Sequence, residues 1–224
     1  TFVSSGGGTN AISSLLKVPG ASNTVLESYI PYSKKSMDLF LNRKPDHYCS
    51  LNTSLSMAAN AYKKCMQIDP EYKKKYLIGI SVTASLATTY TKIGDHKFYI
   101  SVQTESFTKS IECLLIKGSR SREEEEQLIT EYVLSLVAEC CGIEKNMPHH
   151  DEIPVIHIIK AEKSWKKLLN NDVNFKKDTC DNILSGILEE TLLSKYFFGV
   201  ENILNLQKMM RYYFFKQYQV IIDD

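Results

Sequence analysis

The sequence predicts an α/β fold: a three-layer α/β/α sandwich with a mixed sheet, followed by a mainly helical C-terminal extension. Three observations carry that expectation. The chain opens with Phe2-Val3, then Ser4-Ser5-Gly6-Gly7-Gly8-Thr9, then a helix-spaced apolar segment, the pattern of a strand turning sharply into a helix. Further strand-like runs alternate with helix-period segments. The runs at 96–103 and 110–116 flank a polar turn, so one antiparallel pair makes the sheet mixed.

The elements follow in order. Residues 11–17 read as a helix that Val18-Pro19-Gly20 ends, and 24–31 form an extended run with β-branched and aromatic residues. A short helix is expected over 33–41. Residues 52–68 carry apolar side chains at helical spacing, with Ser50 or Asn52 as cap. A buried strand is expected over 75–82, then the hairpin-like pair. Residues 121–141 form a long helix with Leu128, Ile129, Val133, Leu136 and Val137 on one face. Residues 142–154 are polar and contain Pro148, so they read as a boundary. The expected domains are 1–145, a linker over 146–154 and an extension over 155–224. In the extension, 155–159 suits a strand, and 164–169, 181–196 and 200–210 suit helices. The aromatic run at 211–220 suits a closing strand or a buried helix end better than a base-stacking platform, because only Arg211 and Lys216 interleave it.

Composition narrows the function classes. A chain of 224 residues buries one good core with room for an appendage. Lys+Arg 27 against Asp+Glu 26 leaves no basic field, so nucleic acid is not an expected partner. No apolar run reaches the ~18–20 residues that span a bilayer. The opening residues do not read as a signal peptide, and a start at Thr1 is expected to follow further residues. The six cysteines form no CxxC pair and no histidine stands at metal-ligand spacing, so neither a metal nor a cofactor is expected. His149-His150 could ligate a metal, but a solvated loop is the better reading. Scattered thiols suit a reducing interior, cytoplasm or mitochondrion.

The chemistry concentrates at the start. A strand turning through three glycines leaves N–H groups unpaired at a helix N-terminus, where the dipole favours an anion. Ser5 sits at that turn, placed for a nucleophile beside an oxyanion or phosphate cradle made by Gly6, Gly7 and Gly8. A tight βα turn with a capping serine is the simpler reading of the same residues. Arg120 and Arg122 could grip a phosphate, although the run Glu123–Glu126 suits an ordinary charged helix start. His96, in a Gly94-Asp95-His96 turn, reads as solvent-exposed.

The order of Gly-rich turn, helix, Val18-Pro19-Gly20-Ala21-Ser22, strand and Tyr32-Ser33 resembles the CinA C-terminal-domain family, the nicotinamide-nucleotide amidases. The spacing matches without a gap: Ser5 falls on the family's nucleophile, Pro19-Gly20 on its "PG", and Tyr32-Ser33 on its "YS". Gly79-Ile80-Ser81-Val82-Thr83-Ala84-Ser85-Leu86-Ala87-Thr88 resembles the family's later "VTGIAGPGG" loop, and Gly118-Ser119-Arg120 the "GDR" before the last family helix. The resemblance covers about residues 1–145. The pattern looks most like a divergent branch in which the domain precedes a nucleotidyltransferase-like domain. No "HxGH" motif is present, and Asn182–Gly186 is at most a remnant of that domain's first strand.

The resemblance implies amide hydrolysis of a pyridine mononucleotide, with Ser5 as nucleophile, Tyr32 orienting or relaying a proton, and homo-oligomers. The departures imply impairment. The family lysine lands on Met37, which moves no protons, and a lost general base typically costs ~10²–10⁴-fold. The Gly-Pro-Gly loop has become Ser85-Leu86-Ala87-Thr88-Thr89. Thr83, Ser85, Lys34 or His96 are the candidate substitutes for the base. The expected function is a catalytically impaired amidase-like domain that keeps a nucleotide-phosphate cradle from Gly6–Gly8 and Arg120. An active amidase with a substituted base and a structural subunit of a larger assembly are the alternatives.

Overall fold

The computed structural model describes residues 1–71, 73–90 and 92–161. The expected helices at 164–169, 181–196 and 200–210, the aromatic run at 211–220 and the Asn182–Gly186 remnant lie outside the described residues.

The chain is α/β, with a six-stranded mixed sheet in the order β2-β1-β3-β4-β5-β6. The strands are β1 (Phe2–Ser5), β2 (Ser28–Tyr29), β3 (Gly79–Ser85), β4 (His96–Gln103), β5 (Phe107–Leu115) and β6 (Val155–Lys160). β1 runs parallel to β2 and β3, while β3, β4, β5 and β6 are successively antiparallel. The helices are α1 (Thr9–Leu16), α2 (Lys34–Leu41), α3 (Leu51–Ile68) and α4 (Arg122–Cys140). Among the described residues no helix is long and apolar enough to cross a membrane.

Strand alternation divides the side chains between two faces and so builds three layers. On one face Phe2, Ile80, Val82, Phe98, Ile100, Ile111 and Cys113 pack against Ala11 of α1 and Leu128, Ile129, Tyr132, Val133 and Leu136 of α4. On the other, Val3 packs against Met37 and Leu41 of α2 and Met57 and Ala61 of α3. The α3 face is held close by small residues. The Ser54 hydroxyl lies 3.0 Å from that of Ser81 and donates to Ser101 Oγ at 2.8 Å. Side-chain caps start three of the helices: Ser33 for α2, Ser50 for α3, and Ser121 with Glu124 in a capping box for α4.

Gly79 shows how tight that layer is. A Cβ there would overlap the Tyr62 amide nitrogen and the Ala58 carbonyl oxygen of α3. Both are backbone atoms, so relief requires moving the helix. Gly79→Ala is expected to cost about 1–3 kcal/mol. Denaturant unfolding monitored by circular dichroism checks it, and an unchanged midpoint would refute it.

Local details depart from the sequence reading. Residues 24–31 contribute only Ser28–Tyr29 to the sheet, preceded by a 3₁₀ turn at Ala21–Asn23. The third strand begins at Gly79, because Lys74–Tyr76 form another 3₁₀ turn. The largest difference falls on the expected boundary. Val155–Lys160 pair with β5 along their whole length, from Val155 opposite Glu112 to Lys160 opposite Phe107. The segment expected to be a linker packs Met147 against the main core and buries His150 and Glu152. Among the described residues β6 is thus the edge strand of the same sheet.

Candidate functional site

β1 and β3 deliver the central side chains at the end of the sheet where β1 turns into α1. Ser5 and Thr83 are register partners on these strands. The Ser5 hydroxyl donates to the Pro31 carbonyl at 3.2 Å, and that of Thr83 donates to the Tyr48 carbonyl at 2.8 Å. Thr83 also hydrogen-bonds Cys49, whose thiol burial pushes up, against the lowering effects of Thr83, Lys97 and Lys92. Ser5 and Thr83 are therefore brought together, but each hydroxyl is committed to a carbonyl. Tyr32 follows Pro31 and is 69% exposed, pointing its ring to solvent rather than into a closed site.

Position 37, where the resemblance places a lysine, holds a buried methionine. Met37 is 1% exposed and sits among Val3, Leu41, Met57 and Ala61. The place of the family's lysine is a dry apolar core. Lys34 lies three residues away with its ammonium 5.7 Å from the Tyr48 ring centroid, a cation–π contact.

The glycine turn has the backbone the sequence promised and a different occupant. Gly6 and Gly8 both take positive φ, and a Cβ at Gly6 would overlap the Ala84 carbonyl oxygen of β3. Gly8 supplies no side-chain cap to α1. Glu126 of α4 supplies one instead. Its carboxylate accepts from Gly8 N–H at 2.7 Å, from Asn10 N–H at 3.1 Å and from the Thr9 hydroxyl at 3.1 Å. The anion site that physics places at this helix start is filled from within the protein. Gly6, Gly7 and Gly8 as an open phosphate cradle is thus corrected.

Glu125 does the same for the next loop. It is fully buried, accepts from the Ala87 N–H at 2.6 Å and lies 2.7 Å from Nδ1 of His96. His96 is 7% exposed, so its reading as a solvent-facing turn residue is also corrected. The glutamate run that looked like a solvated helix start sends two members inward, because successive helical residues point ~100° apart.

Arg120 is corrected as well. Its guanidinium holds both oxygens of Glu152 at 2.6 and 3.0 Å. Glu152 also accepts from Ile116 N–H at 2.9 Å and lies 2.8 Å from His150 Nδ1, while His150 Nε2 is 2.6 Å from the Tyr132 hydroxyl. Burial raises the Glu152 carboxyl, but the hydrogen bonds from Arg120, Ile116 and His150 outweigh it and hold it down at about 2. Burial, with Cys113 and Glu152, pushes the Tyr132 phenol up to about 12, so it remains the donor to His150. A ring carrying its proton on Nδ1 completes the chain Tyr132–His150–Glu152–Arg120. The solvated-loop reading of His149-His150 fails for His150, whose side chain is 4% exposed.

What remains open is a neighbouring cleft of about 600 Å³, lined by Ala87–Tyr90, Lys92, His96, Lys117, Gly118 and Arg120–Arg122. Lys92 Nζ donates to Ser85 Oγ at 2.8 Å and the Leu86 carbonyl at 2.7 Å. Lys117 Nζ donates to the Ile93 carbonyl at 2.8 Å. Arg122 donates to the carbonyls of Ala87 at 3.2 Å and Gly6 at 3.1 Å. Among the described residues, these three cations hydrogen-bond neutral oxygens only. Single-sequence reasoning missed Lys92 and Lys117. The signal was Lys92 on one side of the hairpin and Lys117, Arg120 and Arg122 on the other, basic residues that the hairpin folds together.

No protein-family model matches the chain, and no curated protein matches it.

Proposed function

We propose that this chain is a divergent amidase-like domain, silent at Ser5, that binds a phosphate-bearing small anion in the cleft between the β3–β4 loop and the start of α4. A pyridine mononucleotide is the ligand that the sequence resemblance favours. The observation that carries the reading is the trio Lys92, Lys117 and Arg122 around that cleft, with carbonyl and hydroxyl partners but no carboxylate among the described residues. An anion arriving there gains charge-assisted hydrogen bonds without displacing a salt bridge. The silence at Ser5 rests on Met37, which offers no base, and on Glu126, which takes the donors an oxyanion would need.

Isothermal titration with inorganic phosphate and with nicotinamide mononucleotide tests the binding half. Lys117→Met and Arg122→Met are each expected to weaken binding about tenfold or more, the loss of one charge-assisted hydrogen bond. Ammonia release from nicotinamide mononucleotide tests the other half. Robust turnover that Ser5→Ala abolishes would sink the silent-site reading.

A second reading, a structural subunit within a larger assembly or a homo-oligomer, is favoured by the β6 margin. There Ile153, Val155, Ile156 and Ile158 are 90, 48, 44 and 55% exposed within the described chain. Solution mass of the purified full chain decides between a monomer and an assembly.

A further inference from the structure

We infer that Ser85 and Lys92 form a nucleophile–base pair at the margin of this cleft, where the cleft-lining Lys92 reaches Ser85, and that the pair hydrolyses an amide or ester carrying a negative charge. Ser85 ends β3, and the Lys92 ammonium nitrogen approaches its Oγ to 2.8 Å from the β3–β4 loop. A hydroxyl held at hydrogen-bond distance from an amine is the arrangement in which a lysine activates a serine. The anionic character of the substrate rests on the binding reading above, because Lys92 lines the cleft together with Lys117 and Arg122. The reacting pair itself rests only on the Ser85–Lys92 geometry.

The environment eases the loss of a proton from Lys92. Burial pushes the Lys92 ammonium down from its ordinary value, against Glu125 and Cys49, which raise it, while Arg122 and Lys117 add to the lowering. These are the charged and titratable groups that face it from α4, from the segment before α3 and from the turn after β5. Ser5 lacks such a partner, since its hydroxyl meets the Pro31 carbonyl.

The steps balance without a co-reactant other than water. Ser85 Oγ bonds to the acyl carbon as its proton passes to neutral Lys92. The tetrahedral adduct expels the amine or alcohol, which takes that proton from Lys92. Water then adds to the acyl-serine, giving a proton to Lys92. Collapse releases the carboxylic acid and returns the proton to Ser85 Oγ.

A fluorophosphonate probe tests the pair directly, since Ser85 Oγ would bond to phosphorus, fluoride would leave and Lys92 would take the proton. The full chain is incubated with probe between pH 6 and 10 and the modified peptide is identified by mass spectrometry. Labelling is expected on Ser85, faster as pH rises, unchanged in Ser5→Ala and absent in Ser85→Ala. Lys92→Arg is the decisive variant. It keeps the charge and the donors that clamp the loop, so a structural role survives, while labelling is expected to fall by 100-fold or more, as for a lost general base, typically ~10²–10⁴-fold. Equal labelling in Lys92→Arg, labelling of another residue or no labelling overturns the inference. Inorganic phosphate separates the two readings. Protection of Ser85 by phosphate supports both, labelling that phosphate does not slow removes the anion reading alone, and phosphate binding without labelling removes the nucleophile alone.

Discussion

Replacing Glu152 by alanine is expected to cost about 3–5 kcal/mol of folding stability, the usual penalty for removing one partner of a buried ion pair. The loss has two parts. Arg120, whose side chain is 19% exposed, keeps its charge without the two carboxylate oxygens that meet it. His150 and the Ile116 N–H lose an acceptor, so the crossover between α4 and β6 loses its main polar anchor to the domain. The same carboxylate sets an acid limit. Its folded pKa lies at about 2, below the ordinary carboxyl value of 4.5. A depressed carboxyl contributes its full stability above the unfolded value and loses it as pH falls through the folded one. The wild-type protein should therefore weaken progressively between about pH 4.5 and 2, by on the order of 3 kcal/mol from this group. Glu152→Gln should be weaker at pH 6 but lose less on acidification. Urea midpoints measured at pH 6, 4 and 3 check both statements, and parallel acid profiles would refute the second.

The network was invisible in the sequence for a physical reason. Glu152 stands 32 residues from Arg120, and His150 stands 18 from Tyr132. Only the return of β6 along β5 brings them together, and a polar run with a proline looks the same whether it is solvated or folded over a core. The alternation of strands and helices was legible because it is written in local periods, as was the cap of α3, for which Ser50 and Asn52 were the two candidates and Ser50 is the one used. β2 was not, since a two-residue edge strand leaves no periodic trace in an extended run of eight. The glycine turn was legible as geometry but not as function. Its backbone is the one expected, yet whether an anion enters depends on Glu126, more than 100 residues away in the chain. Composition had marked that residue as part of a solvated run. Met37 reads as a missing base only through the resemblance, and its burial among apolar side chains gives an amine there no charged partner.

Restoring the lysine, Met37→Lys, is expected to be the most damaging single change, costing about 6 kcal/mol, and to recover no amidase activity. The side chain would enter a pocket formed by Val3, Leu41, Met57 and Ala61, all of them buried and offering no acceptor from a side chain stronger than the Met57 thioether. A lysine in such surroundings stays folded mainly as the neutral amine, with its pKa pushed to about 5–6 from about 10.4. A shift of roughly 4–5 units at about 1.4 kcal/mol per unit sets the full cost, which is reached as pH falls to about 5–6; at neutral pH it is nearer about 5 kcal/mol. The sign follows from linkage. The unfolded chain binds a proton at the new lysine that the folded chain refuses, so the variant's stability deficit shrinks as pH rises from about 6 toward 10 and grows as pH falls. Denaturant unfolding of wild type and variant between pH 6 and 10 measures that slope, and an equal difference at every pH would show that the amine has reached solvent. Ammonia release from nicotinamide mononucleotide should be no faster than in the wild type at pH 9, where the variant is most stable. The Ser5 hydroxyl would still donate to Pro31, and Glu126 would still occupy the N–H groups of the turn. Activity gained by this one substitution would mean that α2 can turn position 37 toward Ser5, and that the apolar packing of Met37 is what silences the site.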